Sequence, residues 1–299
     1  MLSFVFVCSF AACGKSTVSE TTAQANVTTN STTAVQGTTA PNESTTAAET
    51  QTGETQTSET QTGNVSTTAP ADTGMPTTKA EILAAYTAVM NKAKTDKPGY
   101  TKIMYQSLPD AEKYKDNTTV KILMSIVNLF MTTKDKAMKN PVVYENGSDT
   151  KANFPITEST KGCMLTNTNA IKSASCAALP DGNYKITIIL NNELNPERFR
   201  DGMVKAPSNT GNMFVIFSKS DVDPILQKPY VKILVKNGDL QMNFHDCKAE
   251  LEYNPKTNRI ISLDQVTHTS LGVSGTVVGH YYKENTELEM YYTASNFKY

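Results

Sequence analysis

Tryptophan is absent from the 299 residues, and only three histidines are present. Without tryptophan, the strongest sugar-stacking side chain is missing. His245, His268 and His280 are far apart in sequence and show neither the H-x₃-H nor the C-x₂-C spacing of a zinc site, so no metal is expected. The formal net charge is −1 overall, and the +4 that falls outside residues 15–78 is too mild to suggest nucleic-acid binding. Apart from residues 2–12 there is no apolar run to suggest a membrane span, and that one is too short to cross a bilayer alone. No reaction-specific motif is complete. Gly272-Val273-Ser274-Gly275 lacks the spacing of the G-x-S-x-G nucleophile elbow and sits in a strand-rich region. No cofactor is expected and no catalytic residue is assigned, so the reading leans away from an enzyme.

The start of the chain poses a choice. Residues 9–17, "SFAACGKST", end like a phosphate-binding P-loop, but Ser9 stands where the first glycine belongs. No strand precedes the motif and no apolar period follows it. "LSFVFVCSFAA" (2–12) instead has the length of the apolar segment of an export signal. Phe10-Ala11-Ala12-Cys13 then resembles the lipobox of bacterial lipoproteins. That resemblance implies a diacylglycerol on Cys13 and a signal peptide over 1–12. Phe10 replaces the usual leucine and no basic residue precedes the run; the simplest account of the latter is that Met1 is an internal start.

Residues 15–78 hold 22 threonines and almost no Leu, Ile, Phe or Tyr. Such a segment cannot bury enough apolar surface to offset its chain entropy, which predicts a disordered linker over 13–78. "ETQTG", "ETQTS" and "ETQTG" repeat over 49–63 as low-complexity sequence. A flexible chain of this length spans on the order of 45 Å and reaches about 200 Å when extended. The composition therefore predicts a tether holding an extracytoplasmic domain, residues 79–299, off the membrane. The linker carries −5, so the total of −1 leaves +4 for the rest.

The domain begins with a helix signal. Thr78 and Glu81 have capping-box spacing, and Ile82, Tyr86, Val89, Met90 and Ala93 fall on one helical face. Pro98-Gly99 stops the helix. A second helix is expected from about Asn117, with "VKILMSIVNLFM" (120–131) apolar almost all round. Strands are expected at 183–191, 212–218 and 230–236, with a short helical turn at 220–226. Asn237-Gly238 reads as a hairpin turn, followed by strands at 240–253, 259–271, 272–282 and 286–297. Helices first and strands after predict an α+β fold, two N-terminal helices covering one face of a curved antiparallel meander. "AEILAAYTAVMNKAKTDKPGYT" (80–101) and "DCKAELEYNPKTNRIISL" (246–263) resemble uncharacterised domains of surface lipoproteins from Gram-positive gut bacteria. That resemblance implies a place on the cell surface and no particular activity.

Other candidates have plain readings. Asp246 follows His245, but strand neighbours point to opposite faces. Glu250 and Glu252 share a strand face with Lys248, and Glu287 and Glu289 share one on the last strand, as a wet face would. Tyr281, Tyr282, Tyr291, Tyr292 and Tyr299 crowd the C-terminus. A disulfide between Cys163 and Cys176 is geometrically open and would stabilise by about 3 kcal/mol; Cys247 reads as a buried thiol. The expectation is a lipid-anchored, non-enzymatic domain binding an apolar ligand or a cell-surface protein. A structural or adhesive domain is the alternative, with a cell-wall or polymer hydrolase behind it.

Overall fold

Thr78 is the N-cap of the first helix. In the computed structural model, which describes residues 74–114, 131–229, 235–277 and 280–299, its hydroxyl accepts from the Glu81 amide at 3.2 Å. The Glu81 carboxylate accepts from the amides of Thr77 and Thr78, each at 3.0 Å. This reciprocal box starts α1, Lys79–Asp96. The helix buries Ile82, Leu83, Tyr86, Val89, Met90 and Ala93, which recur at helical spacing and so face one side. Lys97 closes it in the left-handed conformation (φ 49°), donating to the Ala93 carbonyl.

Eight strands form one antiparallel sheet among the described residues. They are β1 (Gly99–Ser107), β2 (Val142–Tyr144), β3 (Ile171–Ala178), β4 (Tyr184–Leu190), β5 (Glu193–Leu194), β6 (Val235–Asn254), β7 (Arg259–Val277) and β8 (His280–Lys298). The order across the sheet is β2-β1-β8-β7-β6-β4-β3, with β5 pairing on β6. β1 follows α1 directly and pairs with the last strand, from Gly99↔Lys298 to Ser107↔Glu289. The two ends of the unit Asp72–Tyr299 are thereby joined. α1 packs on the inner face against β3, β4 and β7. Ile186, Ile188, Ala249, Leu251, Leu263, Tyr292 and Ala294 complete the core there.

The remaining helices are short: α2 (Lys134–Lys139), α3 (Thr150–Asn153) and α4 (Lys219–Leu226). The α+β expectation is therefore corrected. The described chain is mostly antiparallel β, with one long N-terminal helix instead of two, and β1 intervenes before any other helix. The second expected helix, from Asn117, lies outside the described residues except for its last position. No described helix is long and apolar enough to cross a membrane.

Two turn signals are absorbed by strands. β6 runs through Asn237-Gly238, where the register steps from Lys236↔Thr276 to Asp239↔Ser274. Two residues of β6 thus oppose one of β7, a bulge in place of a hairpin. β7 likewise runs through Gly272–Gly275, paired on both sides, so the two strands expected at 259–271 and 272–282 are not separate. The apolar run 212–218 is not a strand. It is a loop that buries Met213, Phe214 and Ile216, and it is held by Glu193 accepting from the amides of Asn209 (3.0 Å) and Thr210 (2.8 Å).

A cation is buried where α1 ends. The Lys94 ammonium donates to the carbonyls of Thr150, Phe154 (2.7 Å) and Ile156 (2.9 Å). Burial pulls it down to about 7, partly opposed by Asp149. Nearby, Asn91 Oδ1 accepts from the amides of Gly162 (2.7 Å) and Cys163 (3.0 Å). Gly162 lies so close to α1 that a Cβ would stand 2.4 Å from the Met90 carbonyl oxygen.

Candidate functional site

The outer face of the sheet, opposite α1, is built by strand alternation. On β6 the inward residues before position 245 are Leu240, Met242 and Phe244. After it they are Cys247, Ala249, Leu251 and Tyr253. The parity changes because a second bulge lies between His245↔His268 and Lys248↔Val266. Asp246 sits in this bulge with φ 47°. His245, Lys248, Glu250 and Glu252 all reach the outer face as a result.

The bulge also brings together two groups that alternation would separate. Asp246 Oδ2 lies 3.3 Å from His245 Nδ1, and His245 Nε2 lies 3.1 Å from Glu287 Oε2 on β8. Glu287 Oε1 accepts a short hydrogen bond from the Ser270 hydroxyl. Directly across from His245, His268 stacks on it with ring centroids 5.8 Å apart, and its Nδ1 lies 3.6 Å from Glu289 Oε1. Glu289 accepts from the Tyr291 hydroxyl at 3.0 Å. The Tyr291 ring stacks on Tyr105 of β1 with centroids 4.6 Å apart, and the Lys134 ammonium stands 6.0 Å above the Tyr105 ring. A continuous row of polar and aromatic side chains therefore crosses four strands.

The charges support one another. Burial lowers the His245 pKa, but hydrogen bonds to Glu287 and Asp246 outweigh it and the net shift is upward. Asp246 is held below its ordinary range by hydrogen bonds from Lys172 and His245. Burial and the Glu289 carboxylate push the Tyr291 phenol up to about 12.

The order of these groups decides their chemistry. A nucleophilic serine needs a base that takes its proton. Here the Ser270 hydroxyl donates to a carboxylate, and the histidine lies beyond that carboxylate. The row is a set of donors, acceptors and rings held by one another, and it lacks the direct serine–histidine hydrogen bond of a nucleophile triad. Among the described residues, no group of three or more His, Cys, Asp or Glu side chains is arranged to hold a metal ion.

Cys13 lies outside the described residues. Cys163, Cys176 and Cys247 are free thiols. Cys163 is buried, its sulfur accepting from the Thr87 hydroxyl at 3.4 Å, whereas Cys176 is half-buried on β3; the Cys163–Cys176 disulfide is not formed. Tyr292 is buried beside its outward neighbour Tyr291. The Tyr299 hydroxyl donates to the Ile260 carbonyl at 3.2 Å. The side chains of His280, Tyr281 and Tyr282 lie outside the described set. At the start of α1 a cleft of about 480 Å³ is lined mainly by polar residues, among them Thr78, Lys79, Asn169 and Lys172, together with Ala80 and Ile171.

The sequence reading missed Tyr105 and Ser270 as members of the row and separated Asp246 from His245. The stacked tyrosines come from β1 and β8, so no local spacing marks them. The chain matches no protein-family model, no curated protein and no solved structure.

Proposed function

We propose that this protein is a lipid-anchored, extracytoplasmic binding protein that meets a cell-surface protein through the outer face of its sheet. The row from His245 and His268 through Glu287 and Glu289 to the Tyr291–Tyr105 stack carries the reading. Side chains held by several partners lose little freedom on binding, and tyrosine rings such as the Tyr291–Tyr105 stack are enriched at contact surfaces. Of the two partners expected from sequence, the cell-surface protein is the one this face supports, because the row lies on an open strand face. The Ala11-Ala12-Cys13 segment and the Thr-rich linker support the anchor and its tether.

Two measurements test this. Cys13→Ala should abolish labelling by radioactive fatty acid and release the chain into the medium; unchanged labelling contradicts the anchor. Tyr105→Ala/Tyr291→Ala should weaken binding of the purified chain to cell envelopes while its far-ultraviolet circular dichroism stays that of the wild type. Undiminished binding contradicts the face.

A further inference from the structure

The sheet ends in two edges. The β2 edge is three residues long, too short to template much pairing. The β3 edge is longer, and among the described residues its guards stand only at its ends. A register shift between Ile171 and Ser173 and the Lys172 side chain mark the start, with Lys79 Nζ donating to the Ile171 carbonyl at 2.6 Å. Pro180 follows the end. Residues 173–178, "SASCAA", carry no charge, no proline and no bulge, the features that normally blunt an edge.

The backbone parity of this edge is fixed by the hairpin beside it. Leu179 N–H donates to the Asn183 carbonyl at 2.8 Å, so Leu179 and Asn183 form a hydrogen-bonded pair. Such pairs alternate along an antiparallel ladder. Ser173, Ser175 and Ala177 therefore spend their N–H and C=O groups on β4. Ala174, Cys176 and Ala178 turn theirs outward.

We infer that β3 pairs with β3 of a second copy of this chain, antiparallel about a two-fold axis at Cys176. In that register Ala174 lies opposite the second copy's Ala178, and Cys176 opposite its counterpart, so the outward groups meet one another. The charges do not oppose this register. Lys172, which pairs with Asp246 of its own sheet, falls opposite Pro180 of the second copy, and no like charges face each other. Ala174 and Cys176, half-buried against the core, are covered by the matching residues of the partner, which continues the core across the axis. Small side chains on both faces let the strands approach to normal ladder spacing.

Sedimentation equilibrium of the full chain under reducing conditions tests this. The expected result is a mass that rises from monomer to dimer across a micromolar-to-millimolar series; a monomer mass throughout overturns the proposal. Ser175 and Ala177 are exposed and lie opposite each other across the axis. Ser175→Lys/Ala177→Lys should weaken the dimer roughly tenfold through paired like charges. Ser175→Lys/Ala177→Glu should restore it, because each lysine then faces a glutamate. Circular dichroism of both variants should match wild type. Equal dimerisation of the two variants overturns this register.

Discussion

Asp246 Oδ2 stands 3.3 Å from His245 Nδ1, although the two are consecutive residues of one strand. A regular strand would send them to opposite faces. The bulge at Asp246 lets both reach the outer face, where Glu287 holds the other nitrogen of the ring.

That clamp predicts a titration. The folded His245 pKa is raised, so its contribution to stability is fully present below the ordinary histidine pKa. It is lost as pH rises through the folded value. Glu287→Gln should move the His245 pKa back down toward the ordinary value and flatten that part of the stability profile. Histidine proton shifts followed by NMR against pH check this; an unmoved pKa would show that Glu287 does not hold the ring.

Alkaline unfolding should be governed by the buried tyrosines. Burial raises Tyr86, Tyr100 and Tyr292 above 10. These groups favour the fold fully below the unfolded tyrosine pKa of about 10, and the benefit falls as pH climbs through the folded values. With 13 tyrosines in the chain, the share of tyrosinate absorbance due to these three is read as wild type minus the Tyr86→Phe, Tyr100→Phe and Tyr292→Phe variants. That difference should appear only together with loss of the far-ultraviolet β signal. A difference that rises well before unfolding would contradict their burial.

Lys94→Met should destabilise by about 2–4 kcal/mol, because the substitution leaves buried carbonyls without their donor. The affected acceptors are on Thr150, Phe154 and Ile156. Urea denaturation reads this directly; a neutral result would mean that the carbonyls find other donors.

Gly162→Ala should cost about 1–3 kcal/mol by overpacking. Its Cβ would enter the space of the Met90 carbonyl, a backbone group that moves only with α1. Thermal melting checks it, with Gly147→Ala as the contrast. Gly147 has open space around a Cβ but a φ of 87°, so its cost comes from backbone strain alone.

Some of this was legible in the sequence. The start of α1 was, since Thr78 and Glu81 are a local signal and the apolar face follows at once. So was the wet face of Lys248, Glu250 and Glu252, which obeys simple alternation. The long strands were less so, because Asn237-Gly238 is a turn signal only when nothing pairs across it. Here Thr276 and Ser274 of β7 pair on either side, and tertiary contact overrides the local preference. β1 was invisible because its partner β8 comes from the other end of the chain. The row on the outer face depends on both, so its members could be named singly and not joined.

The central claim is that the outer face meets a surface partner. The most direct measurement places a photo-reactive phenylalanine analogue at Tyr291 in the protein on intact cells, with a control at Leu194, which is 61% exposed and outside the row. The account predicts one discrete protein adduct from position 291 and none from 194. No adduct from 291, or the same adducts from both positions, would contradict it.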